Sequence, residues 1–137
     1  VRARRNGISN IDLKVIDSTK VIKKLYGKAD RVLIDAPCSG LGVLRRNPDS
    51  KWKLQPEFID NIKEIQQDVL QRYSRMVKPG GKLVYATCSV LPSENQDQVK
   101  IFLASEDGKD FSLVKDNKVL AHKFGFDGFY MAQLVRK

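Results

Sequence analysis

The sequence is poor in the residues that build metal sites and membrane segments. It has two cysteines, Cys38 and Cys88, and one histidine, with neither a CxxC pair nor a Cys/His cluster at zinc spacing. These absences argue against a structural metal. No apolar run of about 18 residues is present, and residues 1–7 lack the apolar core of a signal peptide. We therefore expect an intracellular, cytoplasmic protein with reduced thiols and no membrane partner.

Acidic residues are also scarce relative to basic ones. Sixteen Asp and Glu residues oppose 25 Lys and Arg residues, so the chain of 137 residues carries a net charge of +9. This charge favours a polyanionic partner such as RNA, and a solvated lysine-rich surface is the alternative interpretation. Hydrophobic residues make up 42% of the chain, which is enough for one core, so we expect a single domain over residues 1–137.

What the sequence does contain is a pair of similar segments, each with a short apolar run that leads to a thiol. Residues 31–35 precede the loop that carries Cys38, and residues 82–87 precede Cys88. Each run is typical of a parallel strand covered on both faces, and open α/β sheets place their sites at the carboxyl ends of such strands. If the two strands are neighbours, both cysteines face the same crevice.

The remaining pattern predicts an α/β fold with a mainly parallel sheet, closed by an antiparallel strand pair. The strongest helix begins at Pro56, has an apolar face that includes Phe58 and Ile65, and ends before Pro79. The long loop 38–55 is expected to be functional or disordered. The predicted strands are 11–16, 31–35, 82–87, 111–114 and 129–135, and further helices begin near Ser18 and at a Ser93–Gln96 capping box.

The side chains at the strand ends suggest chemistry before any known protein is considered. Basic neighbours lower the pKa of a thiol and produce a nucleophilic thiolate, and Arg45, Arg46 and Lys51 are candidates for that role. The alternative is that Cys38 and Cys88 are small buried apolar residues. Their matching positions at two strand ends favour the first interpretation.

Two aspartates end predicted strands in the same manner. Asp35 is followed by Ala-Pro, which stiffens the loop and directs the carboxylate out of the strand end, where it can accept hydrogen bonds from a ligand. Asp17 ends the first predicted strand. Each has a structural alternative, because Asp35 can cap a turn and Asp17 can cap the helix that begins near Ser18.

Three short motifs resemble those of a known family. The sequences DAPCSG at 35–40 and ATCS at 86–89 resemble the two cysteine motifs of RNA cytosine-5 methyltransferases of the Sun type, and DGFY at 127–130 resembles that family's late Asp-Gly-Phe-Phe signature. The likeness covers nearly the whole chain, as the carboxyl-terminal part of a catalytic domain. It implies a Rossmann-like methyltransferase fold, S-adenosylmethionine as the cofactor, and rRNA or tRNA as the substrate.

The resemblance also implies roles for individual residues. Cys88 would be the nucleophile that adds to carbon 6 of cytosine and makes carbon 5 electron-rich enough to accept a methyl group. Cys38 would help to resolve the covalent adduct after transfer. Asp35, in the same motif as Pro37, would hold the pyrimidine edge or the methionyl end of the cofactor, and Asp17 would lie against the adenosine.

The basic cluster over residues 45–53 gains a role from the same resemblance. Arg45, Arg46, Lys51 and Trp52 would form a surface for the RNA backbone and for base stacking. Without the resemblance, a solvated charged loop is the simpler interpretation of this cluster.

The chain departs from the family's pattern in its amino-terminal part. It has no glycine-rich loop after a first strand and no ribose-binding acid after a second, and Gly80-Gly81 precedes a strand as a turn. We therefore expect a partial domain whose first two sheet strands are missing. By itself it should bind S-adenosylmethionine weakly or not at all and be inactive, and self-association through the exposed sheet edge stays open.

Other functions remain as alternatives. An amino-group methyltransferase would carry a second proline and a stacking aromatic residue where this chain has Cys38. A dithiol redox protein would have a CxxC pair. The non-enzymatic alternative is a basic RNA-binding module that keeps the shape of the enzyme without its chemistry.

Overall fold

A four-stranded mixed sheet organises the computed structural model, which describes residues 5–16 and 18–137. The strands are β1 (Ala29–Asp35), β2 (Val77–Thr87), β3 (Phe111–Val119) and β4 (Phe129–Arg136). Their spatial order is β1-β2-β4-β3. β1 and β2 are parallel, whereas β4 is antiparallel to both β2 and β3. The predicted antiparallel pair at the end of the sheet is confirmed.

Helices connect these strands and give order to the long loop. They are α1 (Thr19–Lys23), α2 (Ser50–Lys53), α3 (Pro56–Ser74), α4 (Gln96–Ala104) and α5 (Ala121–Phe124), with 3₁₀ turns at Leu41–Val43 and Pro92–Glu94. Loop 38–55 therefore has local structure in its 3₁₀ turn and α2. Within the described ranges, none of the helices combines the length and apolar character needed to cross a bilayer.

The longest helix, α3, begins at the predicted proline and ends before Pro79, as predicted, although the predicted apolar face extended to Val77. Proline suits the first turn because its missing N–H has no intrahelical acceptor there, and Pro56 occupies this position. The helix ends at Ser74, ahead of Pro79. β2 then begins at Val77, earlier than predicted. Gly80 adopts a left-handed φ of 75° in the part of β2 where the pairing register with β1 shifts.

The buried side of α3 differs in part from the predicted apolar face. Ile65 and Phe58, both assigned to that face, are exposed. The buried stripe passes through Gln66 instead of Ile65, because positions four residues apart lie on one side of a helix. The buried residues recur at that spacing: Ile62, Gln66, Leu70 and Ser74.

The hydrophobic core lies on one face of the sheet, beneath α3 and α4. Val32 and Ile34 of β1 point into it, together with Leu70 of α3 and Phe102 of α4. Leu33, which points away from these helices, is 70% exposed. The prediction that this strand is covered on both faces is therefore wrong for the part of the chain that the structure describes.

The predicted strand over residues 11–16 is also wrong. These residues are irregular and exposed, and Leu13 and Val15 are each 83% exposed. An alternating pattern forms a strand only where a neighbour accepts and donates its backbone hydrogen bonds. In the described part of the chain, β1 pairs with β2 alone. Asp17, the acid predicted to end this strand, lies outside the described residues.

Candidate active site

The two cysteines meet at the carboxyl ends of neighbouring parallel strands. Asp35 is aligned with Ala86 at the end of the β1–β2 pair, and the chain continues from these positions to Cys38 and Cys88. The two Sγ atoms lie 3.1 Å apart, in hydrogen-bond contact, and both thiols are free and half-buried. The predicted convergence of the two cysteines is confirmed.

The environment of Cys38 favours the neutral thiol. Burial raises the pKa of the Cys38 thiol to about 12, and its hydrogen bond with Cys88 acts in the same direction. The lowering of the pKa by basic neighbours that the sequence suggested does not hold for Cys38. At neutral pH this residue therefore carries an S–H group that can be donated to the Cys88 sulfur.

A buried carboxylate joins the loops that carry the two thiols. Glu94 Oε1 accepts hydrogen bonds from the hydroxyls of Ser39, at 2.5 Å, and Ser89, at 2.6 Å. Its Oε2 accepts the backbone N–H of Ser39 at 2.8 Å and the amide of Gln66 at 3.1 Å. Because Ser39 follows Cys38 and Ser89 follows Cys88, one side chain contacts the residue next to each thiol.

Neighbouring polar groups support this carboxylate. Asn95 donates its amide to the Ser89 carbonyl at 3.0 Å and its Oδ1 accepts the Thr87 hydroxyl at 2.5 Å. Tyr85 donates its hydroxyl to the Glu94 carbonyl at 2.7 Å. Gln66 extends the network by donating to the Pro37 carbonyl at 2.9 Å.

The predicted capping box at the start of α4 is not formed. Ser93 lies in the 3₁₀ turn, and the N-cap is Asn95, whose side chain makes no capping hydrogen bond. Glu94 and Asn95 turn their side chains toward the cysteine loops instead. These two side chains therefore bond to the cysteine loops and do not cap the helix.

Two glycines bring the 127–130 motif against the same loops. Gly42 donates its N–H to the Cys88 carbonyl at 2.8 Å, and its own carbonyl accepts the N–H of Gly128 at 2.7 Å. A Cβ on Gly42 would overlap the Gly128 carbonyl and would lie 2.6 Å from the Cys88 oxygen. Only glycine permits this close approach of three backbone segments.

The predicted ligand-binding residues of the first motif lie between the end of β1 and Cys38. Asp35 is the last residue of β1, and its side chain is exposed. Among the described residues its carboxylate has no ion-pair partner. Pro37 is exposed beside it. No group of three or more His, Cys, Asp or Glu side chains within the described ranges is arranged to hold a metal.

The predicted RNA-binding residues divide into two pairs. Arg45 donates to the Gly125 carbonyl at 2.9 Å, and Arg46 forms an ion pair with Asp127 at 2.7 Å, so these arginines tie loop 38–55 to the segment before β4. Lys51 instead lies over the ring of Trp52, with Nζ 4.8 Å from its centroid. Trp52 is 78% exposed.

The roles of Glu94 and Gln66 and the contact between Gly42 and Gly128 were not predicted from the sequence. Gln66 was not among the residues assigned to the apolar face of the helix, and Glu94 lies within the predicted Ser93–Gln96 capping box. The signal that was present is Glu94-Asn95 shortly after the Thr-Cys-Ser motif, where two polar residues can fold back on the cysteine loop. Only their burial distinguishes them from ordinary surface residues.

Sequence comparison relates this chain to ribosomal RNA methyltransferases. Residues 1–135 match the family described as 16S rRNA methyltransferase RsmB/F. A ribosomal RNA small subunit methyltransferase B from Shewanella oneidensis is 43% identical over 115 residues, which cover 78% of this chain and 27% of that relative. The chain thus spans about a quarter of the length of the curated relatives it matches.

Solved structures show the same similarity in three dimensions. The crystal structure of PH0851 superposes with a TM-score of 0.88 at 31% identity, covering 96% of this chain and 32% of that one. NSun6 from Pyrococcus horikoshii with SFG superposes with a TM-score of 0.81 at 27% identity, covering 98% of this chain and 36% of that one. The fold is accordingly part of a Rossmann-like methyltransferase fold. The chain belongs to the RsmB/F family of 16S rRNA methyltransferases.

Proposed function

We propose that residues 1–137 form part of a single catalytic domain that methylates carbon 5 of cytosine in ribosomal RNA. The observation that carries this proposal is the contact between the Cys38 and Cys88 sulfurs at the ends of two parallel strands. The names of the relatives support an rRNA substrate, and such a substrate favours the cytoplasm as the location. The net charge of +9 suits a polyanion.

Cys88 acts as the nucleophile in the proposed reaction. Its sulfur bonds to carbon 6 of cytosine as the double bond between carbons 5 and 6 opens, which leaves carbon 5 electron-rich. Carbon 5 would then accept the methyl group as the bond between that methyl group and the sulfonium sulfur of S-adenosylmethionine breaks. Loss of the carbon 5 proton to a base would restore the double bond and expel the Cys88 sulfur. Covalent addition divides a difficult substitution into easier steps. The cytosine must leave any base stack to reach the thiol.

Cys38 acts at the release step. Because burial holds its pKa well above neutral, it keeps an S–H group beside the Cys88 sulfur. That proton can pass to the Cys88 sulfur as it leaves the cytosine ring, which favours release over return to the adduct. The two thiols therefore have different tasks although their local sequences are alike.

S-adenosylmethionine supplies the methyl group in this proposal, and SFG, bound to the structural neighbour NSun6, is an analogue of it. The described residue that fits this cofactor is Asp35, whose exposed carboxylate can accept hydrogen bonds from its amino group or from the pyrimidine edge. Asp17 is proposed to lie against the adenosine. We also propose that the 137 residues alone bind the cofactor weakly or not at all and transfer no methyl group, which calorimetry and a transfer assay test directly.

RNA would lie across the exposed basic surface beside the thiols. Lys51 and Trp52 offer a cation and a stacking plane to solvent, while Arg45 and Arg46 hold the neighbouring segment and keep part of their charge exposed. The same surface supports the second candidate function, a basic RNA-binding module without catalysis.

The two candidates are separated with cysteine variants of the full-length product of the gene. Labelled methyl transfer to small-subunit rRNA and mass spectrometry of its nucleosides should yield 5-methylcytidine with the wild type and none with Cys88→Ser. Cys38→Ser should accumulate an RNA–protein adduct, because attack proceeds and release fails. Retained turnover in Cys88→Ser would overturn the proposal. If the wild type also leaves the RNA unmodified, and both proteins bind it equally well, the binding module is favoured.

A further inference from the structure

Glu94 is an ionisable residue in a fully buried position. Its side chain is 0% exposed, and among the described residues no cation forms an ion pair with it. A buried carboxylate is costly unless several donors satisfy it. Three residues from three separate segments provide these donors, namely Ser39, Gln66 and Ser89. Such a costly arrangement needs an explanation beyond filling the core.

We propose that Glu94 is a positioning residue that sets the separation of the Cys38 and Cys88 thiols by binding the serine that follows each of them. The inference deepens the proposed function and rests on it for its catalytic consequence. Glu94 reaches neither the thiols nor a substrate through the contacts described. It acts only through Ser39 and Ser89.

The lengths of the hydrogen bonds support a stiff connection. The two hydroxyl bonds to Glu94 Oε1, at 2.5 and 2.6 Å, lie in the range of charge-assisted O–H···O⁻ bonds, which are shorter and stronger than neutral ones. The hydroxyl oxygens of Ser39 and Ser89 lie 3.3 Å apart, which is a long and weak hydrogen bond. Without Glu94, this weak contact would be the hydrogen bond that directly joins the two serines, and their other hydrogen bonds go to nearby residues.

Other connections restrain the backbone without reaching both residues next to the thiols. The bond from Gly42 to the Cys88 carbonyl and the β1–β2 register hold the loops together. Glu94 adds the restraint at the positions that adjoin the sulfurs. Loss of this side chain should therefore loosen the thiol pair more than it alters the fold.

A trivalent arsenical measures this effect independently of methyl transfer. Phenylarsine oxide condenses with two thiols, forming two As–S bonds and releasing water, and it binds tightest where the sulfurs are already held in contact. We expect Glu94→Ala to weaken this chelation by roughly 100-fold, since a displacement near 1 Å can have that effect on a reaction of oriented groups. Cys88→Ser should abolish chelation, and Glu64→Gln on the exposed side of α3 should leave it unchanged.

Two further variants keep the test decisive if Glu94→Ala fails to fold. Ser39→Ala combined with Ser89→Ala removes both hydroxyl donors and leaves Glu94 bound by Gln66 and the Ser39 N–H. The melting temperature should fall, because a buried carboxylate loses two donors. Chelation should also weaken when it is measured at a temperature at which circular dichroism shows the variant to be folded. Glu94→Gln should retain most of the affinity, because its carbonyl can accept from the Ser39 N–H while its amide donates to the hydroxyls.

The catalytic readout is the separation of kcat from KM in the full-length gene product. We expect the serine double variant to lower kcat for methyl transfer strongly and to leave KM for RNA within about twofold, because RNA contacts lie elsewhere. A folded double variant with wild-type chelation and wild-type kcat would overturn the inference. If the wild type transfers no methyl group, the proposed function fails, while the chelation results still decide the role of Glu94.

Discussion

The thiol-side cluster and the basic loop differ in how they use polar residues. The thiol-side cluster, Ser39, Gln66, Ser89, Glu94 and Asn95, is buried, and each of its side chains bonds to another segment. The basic loop, residues 45–53, exposes most of its charge. Buried hydrogen bonds fix the geometry of groups that react, whereas exposed charges and rings remain free to meet a partner. Substitutions should therefore affect folding and geometry in the first region and binding in the second.

The largest effect is expected where the thiol-side segments come closest. Gly42→Ala forces a methyl group against the Gly128 and Cys88 carbonyls, and it should lower the free energy of unfolding by about 3 kcal/mol or prevent folding. Gly27→Ala is the matched control, because Gly27 has a φ of 66° but open space around its Cβ position, and should cost only about 1 kcal/mol. Denaturant unfolding of both variants measures the difference. Equal losses would contradict the prediction, because they would show that the close approach at Gly42 costs no more than the unfavourable φ at Gly27.

The next effect is a loss of stability in alkali that originates on the thiol side. Burial raises the pKa of Cys38 to about 12 and also raises the pKa of Tyr85 above its usual value. Folding therefore favours the protonated forms of both side chains. Their contribution to the free energy of unfolding is complete below about pH 9 and is lost as the pH rises toward the folded pKa values.

Thermal melts between pH 7 and pH 11 test this loss. The melting temperature should fall above pH 9 in the wild type, and the fall should be shallower in Cys38→Ala and in Tyr85→Phe. Lys51→Ala in the basic loop is the control and should leave the slope unchanged. A stability that is flat up to pH 11 would contradict the prediction.

A smaller effect, confined to binding, is expected at the exposed aromatic ring. Trp52→Ala should weaken RNA binding by about 1–3 kcal/mol, the range for loss of one base-stacking contact. Because the ring is largely exposed, the melting temperature should hardly change. Filter binding measures the RNA affinity, and a thermal melt measures the stability. Trp52→Phe should recover part of the affinity.

The smallest effects should distinguish two cations of the same loop. Arg46→Ala removes the ion pair with Asp127, whose side chain is partly buried, and should cost up to about 1 kcal/mol of stability. Lys51→Ala should change the free energy of unfolding by less than about 0.5 kcal/mol. It should reduce the number of ions released on RNA binding, obtained from the salt dependence of the affinity, by about one. Chemical denaturation and a salt titration measure these changes, and equal destabilisation by both substitutions would remove the distinction.

Local patterns predicted those parts of the fold whose partners lie in the described chain. The α3 pattern, with Pro56 at its start, succeeded because an amphipathic helix needs only a covered face. The strands that became β1 and β2 succeeded because they pair with each other. Residues 11–16 have the alternating pattern of a strand but no described neighbour to pair with, so their pattern alone predicted the wrong conformation.

The candidate site shows the same division. Cys38, Cys88 and Asp35 could be selected from the sequence because each follows an apolar strand, and parallel strands align their carboxyl ends. Arg45 and Arg46 were selected for their charge, but their contacts with residues 125–127 depend on how two distant loops fold. Glu94 could not be selected, because a glutamate is ordinarily exposed and only packing reveals a buried one.

The sequence by itself determined the alternation of strands and helices, the basic charge and the motifs that carry the two thiols. The tertiary structure decided that the sulfurs lie 3.1 Å apart, that Glu94 binds the serines beside them, and that Gly42 passes between two carbonyls. Periodicity and strand-end position are local properties that can be read from neighbouring residues. Burial and distance depend on segments far apart in the chain, and their effects on hydrogen bonding and pKa arise only when those segments pack together.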